Sequence, residues 1–233
     1  MDPQPQRHTQ APASCWAIVV AGGSGARFAG EVPKQYLPLG SQRVLDWSLQ
    51  AMQRWVGNRV ILVVPADFLH HPEPLAARVV CGGPTRSASV RAGINALPPE
   101  AAYVVVHDAA RPLVSDEVMT EIVSALVGGA ECVVPGVPVT DTVKRVRNAL
   151  VMETLDRAEL VAVQTPQGFV ADVLRRAHAD GAEATDDAAL VEQAGGFTVV
   201  VAGDPLTRKI TTADDLEWLS ARIGSQQHLN GAS

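Results

Sequence analysis

Short apolar runs alternate along this chain with longer amphipathic stretches. The runs are Cys15 to Val20, Arg59 to Val64, Arg78 to Cys81, Tyr103 to His107, Glu131 to Pro135, Leu160 to Gln164 and Phe197 to Val201. Continuous apolar runs of this length predict strands, and Cys15 to Val20 and Tyr103 to His107 read as buried ones. Between them, Arg43 to Trp55 carries Leu45, Leu49 and Met52 at helical spacing. Helices are also expected from about Thr85 to Leu97, Ser115 to Val127, Phe169 to Ala179 and Thr185 to Ala194. Phe169, Val173, Leu174 and Ala177 would share one face of the Phe169 helix. Thr207 to Ile210 reads as a late strand, and Thr212-Ala-Asp-Asp215 as a capping-box variant opening a last helix. Strand–helix alternation of this kind predicts an α/β fold, a mainly parallel sheet flanked by helices.

One segment breaks the alternation. Thr142 to Arg147 and Leu150 to Thr154 read as two short strands around Asn148-Ala149, with little apolar surface to bury. They predict a β-arm, about 138–158, projecting from the domain. No internal repeat or second core is legible, so residues 15–223 are expected to form one domain. Residues 1–14 are polar and proline-rich without an apolar signal core, and 1–14 and 224–233 are expected to be disordered tails.

Composition narrows the class. A chain of 233 residues with 47% hydrophobic content can bury a sizeable core. No apolar run approaches the ~20 residues of a membrane span. The net charge of −6 argues against general nucleic-acid binding. It leaves room for a phosphate ligand, which a few placed cations can hold. The three cysteines, Cys15, Cys81 and Cys132, lie in or beside strand-like runs without metal spacing. Buried reduced thiols in a cytoplasmic protein are the expectation. His70-His71 stands beside two prolines with no third ligand nearby, and reads as a loop.

Candidate chemistry begins after the first strand, at Ala21-Gly22-Gly23-Ser24-Gly25. Glycines allow a sharp turn and close approach to backbone N–H groups, which together form a concave anion site. Arg27 and Lys34 bracket the loop with positive charge. Neither familiar glycine motif fits. The dinucleotide fingerprint puts Phe28 at its third glycine, and the phosphate-binding P-loop puts Glu31 where its lysine belongs. A glycine-rich turn with no ligand remains open. So does the role of Asp108, at the end of the clearest strand: it can hold Mg²⁺ with phosphate oxygens, or cap the next turn and pair with Arg111. His107 is assigned no chemistry.

Gly23-Ser-Gly25-Ala-Arg27 followed by Pro33-Lys34 resembles the nucleotidyltransferases that couple a nucleoside triphosphate to a sugar phosphate. Lys34-Gln35-Tyr36 and His107-Asp108-Ala-Ala-Arg111-Pro112 narrow the resemblance to the 2-C-methyl-D-erythritol 4-phosphate cytidylyltransferases. It runs in order from about Trp16 to Leu219 and implies a Rossmann-like fold. CTP would be bound by Ala21, Gly22, Gly23, Ser24 and Gly25, and by a base-binding turn in which Gly82 and Gly83 lead to Arg86 and Ser89. Arg27, Lys34 and Lys209 would be catalytic, stabilising charge on the reacting phosphates, and Asp108 would hold Mg²⁺. Arg111, Thr142, Arg157, Thr165 and Thr185 would bind the sugar phosphate. The resemblance places Thr142 and Arg157 on an arm reaching into a partner subunit, implying a homodimer. A ribitol 5-phosphate cytidylyltransferase and a non-catalytic nucleotide-binding regulator are the alternatives.

Overall fold

The computed structural model describes residues 11–22 and 32–230, with side chains as far as 224. The expected positions Gly23, Ser24, Gly25 and Arg27 lie outside the described residues. The chain forms β1 (Cys15–Val20), a small hairpin of β2 (Pro38–Leu39) and β3 (Gln42–Arg43), α1 (Val44–Val56), β4 (Val60–Val64) and β5 (Arg78–Cys81). It continues through α2 (Arg86–Asn95), β6 (Tyr103–Asp108), α3 (Asp116–Val127) and β7 (Cys132–Pro138). The arm is β8 (Lys144–Arg147) and β9 (Leu150–Thr154). Then come β10 (Val161–Val163), β11 (Gln167–Val170), α4 (Ala171–Ala177), α5 (Asp187–Gln193), β12 (Thr198–Ala202) and α6 (Ala213–Asn230).

The main sheet runs β10-β7-β11-β6-β1-β4-β5, and β12 pairs with β7. β6, β1, β4 and β5 are parallel neighbours, so their carboxyl ends share one edge. From β1 the chain moves outward on one side to β4 and β5, then returns to the other side as β6. The order reverses at β1, and such a switch point leaves a crevice beyond the strand ends. β1 and β6 end level, with Val20 opposite Asp108.

Period-two alternation within the strands feeds two cores. Ile18, Ile61, Val63, Val104 and Val106 pack on one face with Val90, Leu174 and Leu190 from α2, α4 and α5. Val19, Leu62, Val64 and Val105 pack on the other with Leu45, Leu49 and Met52 of α1 and Met119 of α3. No helix among the described residues is long and apolar enough to cross a membrane.

Four expectations are corrected. Phe169 does not begin a helix; it sits in β11, antiparallel to β6 and β7 and opposite Val104 and Cys132. Gly168 lets that strand lie close under α3, because a Cβ there would fall 2.5 Å from Ile122. Thr207 to Ile210 is not a strand. Its residues are tied to the end of β6 by single bonds, such as Ile210 N–H to the Ala110 carbonyl at 2.8 Å. Cys81 is exposed rather than buried, since β5 is the edge of the sheet. Finally, the described ends of the expected tails join the fold: Ala11 is buried and its N–H donates to the Trp55 carbonyl, and α6 extends to Asn230, while 1–10 and 231–233 lie outside the described residues.

Candidate active site

Asp108 ends β6 with its carboxylate beyond the strand, at the switch point. Lys209 Nζ meets Asp108 Oδ2 at 2.6 Å, and Arg86 Nε meets Oδ1 at 3.1 Å. Arg86 opens α2, whose N-cap Thr85 accepts from Ala88 N–H at 3.0 Å. Burial opposes ionisation of Asp108, but Arg86 and Lys209 outweigh it and hold the carboxyl well below its ordinary range. Asp108 is therefore an anion. Arg86, despite burial, is held more firmly protonated by Asp108 and Asp187. A pocket of about 250 Å³ opens here, lined among others by Arg86, Asp108, Arg111, Thr165, Thr185 and Lys209.

Asp108 is anchored from behind. Its backbone N–H donates to Thr165 Oγ1 at 3.0 Å, and that hydroxyl lies 3.2 Å from His107 Nδ1. His107 Nε2 lies 3.0 Å from the Arg111 carbonyl, an acceptor only, so Nε2 carries the proton and Nδ1 accepts from Thr165. Burial holds His107 down at about 4, so the ring is neutral. The Thr165 hydroxyl thus spends its proton inside the protein. Arg111 also turns inward, donating from Nη1 to the Thr207 carbonyl at 2.8 Å.

Lys34 starts a short 3-10 turn, Lys34–Tyr36, and its Nζ donates to the Ile210 carbonyl at 2.6 Å. The segment that carries Lys209 therefore brings both lysines to one edge of the crevice. Gln35, buried, donates to the Ala21 carbonyl at 2.5 Å and ties the same turn to the end of β1. Tyr36 stacks on Phe68 with ring centroids 4.0 Å apart.

On the β5 side, Gly82 and Gly83 form the turn into α2. A Cβ on Gly82 would lie 2.8 Å from Ser89 Oγ, and one on Gly22 would lie 3.0 Å from it. Ser89 is buried and accepts from Gly83 N–H at 3.2 Å. It braces the two glycine turns against each other. Thr142 and Arg157 do not line the pocket. Arg157 donates to the Thr140 carbonyl of its own arm.

Four pocket residues, Val163, Gln164, Gln167 and Asp186, escaped sequence reading as site residues. Gln164 and Gln167 lie beside Thr165, and Asp186 caps α5 while accepting from Gln167 Nε2 at 2.8 Å. Their signal was adjacency to Thr165 and Thr185. Gathering fixed cations and one carboxylate at a glycine-bordered strand edge suits stabilisation of a polyphosphate during transfer.

A family model described as IspD, 2-C-methyl-D-erythritol 4-phosphate cytidylyltransferase, matches residues 15–224. A protein of that enzyme name from Nocardia farcinica is 46% identical over 207 residues, covering 86% of this chain and 90% of the relative. Another from Rhodococcus opacus is 41% identical over 219 residues, covering 91% and 96%. The solved structure of the enzyme so named from Thermus thermophilus matches with a TM-score of 0.76 at 32% identity, covering 88% of this chain and 97% of that one.

Proposed function

The chain belongs to the 2-C-methyl-D-erythritol 4-phosphate cytidylyltransferase family, and from that membership we propose that it transfers the cytidylyl group of CTP to 2-C-methyl-D-erythritol 4-phosphate. The products are 4-diphosphocytidyl-2-C-methyl-D-erythritol and pyrophosphate, in non-mevalonate isoprenoid precursor synthesis. The observation that carries this reading is the gathering of Lys209 and Arg86 on Asp108 at the switch point, with Lys34 bonded to the segment that carries Lys209.

A phosphate oxygen of the acceptor attacks the α-phosphorus of CTP, and the bond from that phosphorus to the pyrophosphate oxygen breaks. Both reactants are anions, so neutralisation and alignment are the main catalytic tasks. Lys34 and Lys209 stabilise charge developing on the α-phosphate and on pyrophosphate, together with Arg27. The Gly82–Gly83 turn and the loop after Ala21 offer backbone to the nucleotide, and Thr185 faces the same pocket. An ionised acceptor phosphate needs no general base.

The donor chemistry at Asp108 fits Mg²⁺, which takes one or two carboxylates and completes its shell with phosphate oxygens and water. When bound, the ion neutralises phosphate charge. Asp108→Asn is expected to weaken the dependence of rate on Mg²⁺ while the fold is kept; a variant that titrates with Mg²⁺ like the parent makes Asp108 structural.

We assign the arm to a homodimer. Val146, Leu150, Val151 and Met152 are all exposed on it, and a lone two-stranded hairpin is marginal in water. Thr142 and Arg157 then serve the partner's pocket. Mixing Arg157→Ala with Lys34→Ala subunits, each inactive alone, should restore activity, because each heterodimer keeps one site free of both lesions. Confirmed exchange with no activity assigns Arg157 to its own subunit. Free thiols at all three cysteines suit a cytoplasmic setting. The deciding assay is pyrophosphate release from CTP with methylerythritol 4-phosphate and, separately, ribitol 5-phosphate. Release with the first acceptor supports the proposal; release with the second alone overturns the substrate.

A further inference from the structure

The transfer scheme leaves one buried carboxylate unused. Asp187 is the first residue of α5 and is 0% exposed. Its Oδ2 accepts from Arg86 Nη1 at 2.8 Å and its Oδ1 from His178 Nε2 at 3.1 Å. His178, at the C-terminal end of α4, is itself buried. Arg86 therefore bridges two carboxylates, Asp108 through Nε and Asp187 through Nη1. Removing one partner from such a buried set leaves a charge uncompensated, so each position constrains the others.

This inference rests on the transfer reading, in which Asp108 takes a divalent cation. Both oxygens of Asp108 are held by protein cations, so engaging the metal means releasing at least one of them. The Lys209 side chain is 38% exposed and that of Arg86 22%. A released Lys209 can follow the negative charge onto the phosphates. A released Arg86 is still gripped at Nη1.

We propose that Asp187, backed by His178, is a positioning residue that retains Arg86 at the head of α2, beside the Gly82–Gly83 turn, when Asp108 exchanges its protein cations for metal. Without the Asp187 carboxylate, Asp108 is the one counter-ion left to Arg86 in this cluster. The guanidinium then competes harder with the metal and loses its fixed place at the nucleotide turn.

The test compares parent, Asp187→Asn and Asp187→Glu. In Asp187→Asn, the Mg²⁺ concentration for half-maximal rate and KM for CTP should each rise about tenfold, the loss expected from weakening one charge-assisted hydrogen bond. The kcat at saturating Mg²⁺ and CTP should stay within about twofold of the parent, since Arg86 is asked to bind rather than to stabilise the transition state. Calorimetric titration of CTP with Mg²⁺, without acceptor, should show the same loss of affinity. Asp187→Glu should recover part of it. His178→Gln should move KM in the same direction, less far, and serves alone if Asp187→Asn fails to fold. Parental KM, metal dependence and calorimetric affinity in a folded variant overturn the proposal, as does a loss confined to kcat. A parent that binds CTP with Mg²⁺ but releases no pyrophosphate refutes the transfer reading instead, and the calorimetric comparison still decides on Asp187.

Discussion

Replacing Lys34 with alanine is expected to lower kcat for pyrophosphate release by about two to four orders of magnitude, the range for losing one preorganised stabiliser of transition-state charge. The variant also loses the bond from Nζ to the Ile210 carbonyl, so its unfolding is measured beside its rate. In the proposed transfer the amine, beside the segment that carries Lys209, is assigned to charge that grows as pyrophosphate departs. Binding of CTP already meets several cations, so KM should move less than kcat. Single-turnover measurement on folded variant separates the two. A kcat like the parent's would remove Lys34 from the machinery and leave it as a clamp on the Ile210 segment. Arg27→Ala should behave similarly.

Acidification in metal-free buffer should cost roughly 3 kcal/mol of stability between about pH 6.5 and 4, at about 1.4 kcal/mol per unit of pKa difference. The group responsible is His107, which burial lowers from 6.5 to about 4. Within that window the unfolded chain binds a proton that the folded chain refuses. Stability therefore rises with pH through the window and falls as pH drops. Asp108 acts in a lower window. Its folded carboxyl is held below the ordinary 3.8, so its contribution is present above that value and lost on going below it. Urea unfolding at a series of pH values should resolve the first loss before the second. His107→Gln, which keeps an amide near the Arg111 carbonyl, should flatten the upper window. A flat parental profile from pH 6.5 to 4.5 would show that His107 titrates normally.

The parallel half of the sheet was legible because its strands are apolar on both faces and its helices carry one stripe. The region after β7 was harder. Phe169, Val173, Leu174 and Ala177 fit helical spacing, yet Phe169 is claimed by a ladder to β6 and β7 that no local pattern announces. A strand of four residues next to a helix of seven is short enough for one period to mask the other. Thr207 and Ile210 are both fully buried, which reads as strand, but Ile210 is buried among Leu39, Val44, Leu219 and Ile223 and joins Ala110 by a single bond without a ladder. At the site, Lys34 and Asp108 stand out in the sequence beside a glycine loop and at a strand end, whereas Arg86 and Lys209 are singled out only by the family resemblance. Their pairing was not legible, since Arg86 and Asp187 are 101 positions apart, as are Lys209 and Asp108. His178 left no trace, because a histidine after a short helix looks like any other. Thr165 and Arg111 were expected to face substrate; the Thr165 hydroxyl is committed to the Asp108 N–H and His107, and Arg111 gives Nη1 to the Thr207 carbonyl while its buried Nε has no hydrogen-bond partner among the described residues.

The bond from Lys34 to the Ile210 carbonyl spans 176 positions, nearly the whole distance between β1 and α6. During synthesis the chain leaves the ribosome from its N-terminus at about 5–20 residues per second. The parallel strands β1, β4, β5 and β6 can therefore meet while the segment that carries Lys209 is still unmade. A nascent or truncated chain ending before that segment holds every strand of the main sheet, yet lacks Lys209 at Asp108 and the carbonyl that accepts from Lys34. The site therefore lacks one of its cations, Lys209, until translation is nearly over. Ligand that binds only the finished fold stabilises it by mass action and leaves earlier species untouched. On the proposed function, CTP stabilises complete chains more than those released before the segment that carries Lys209.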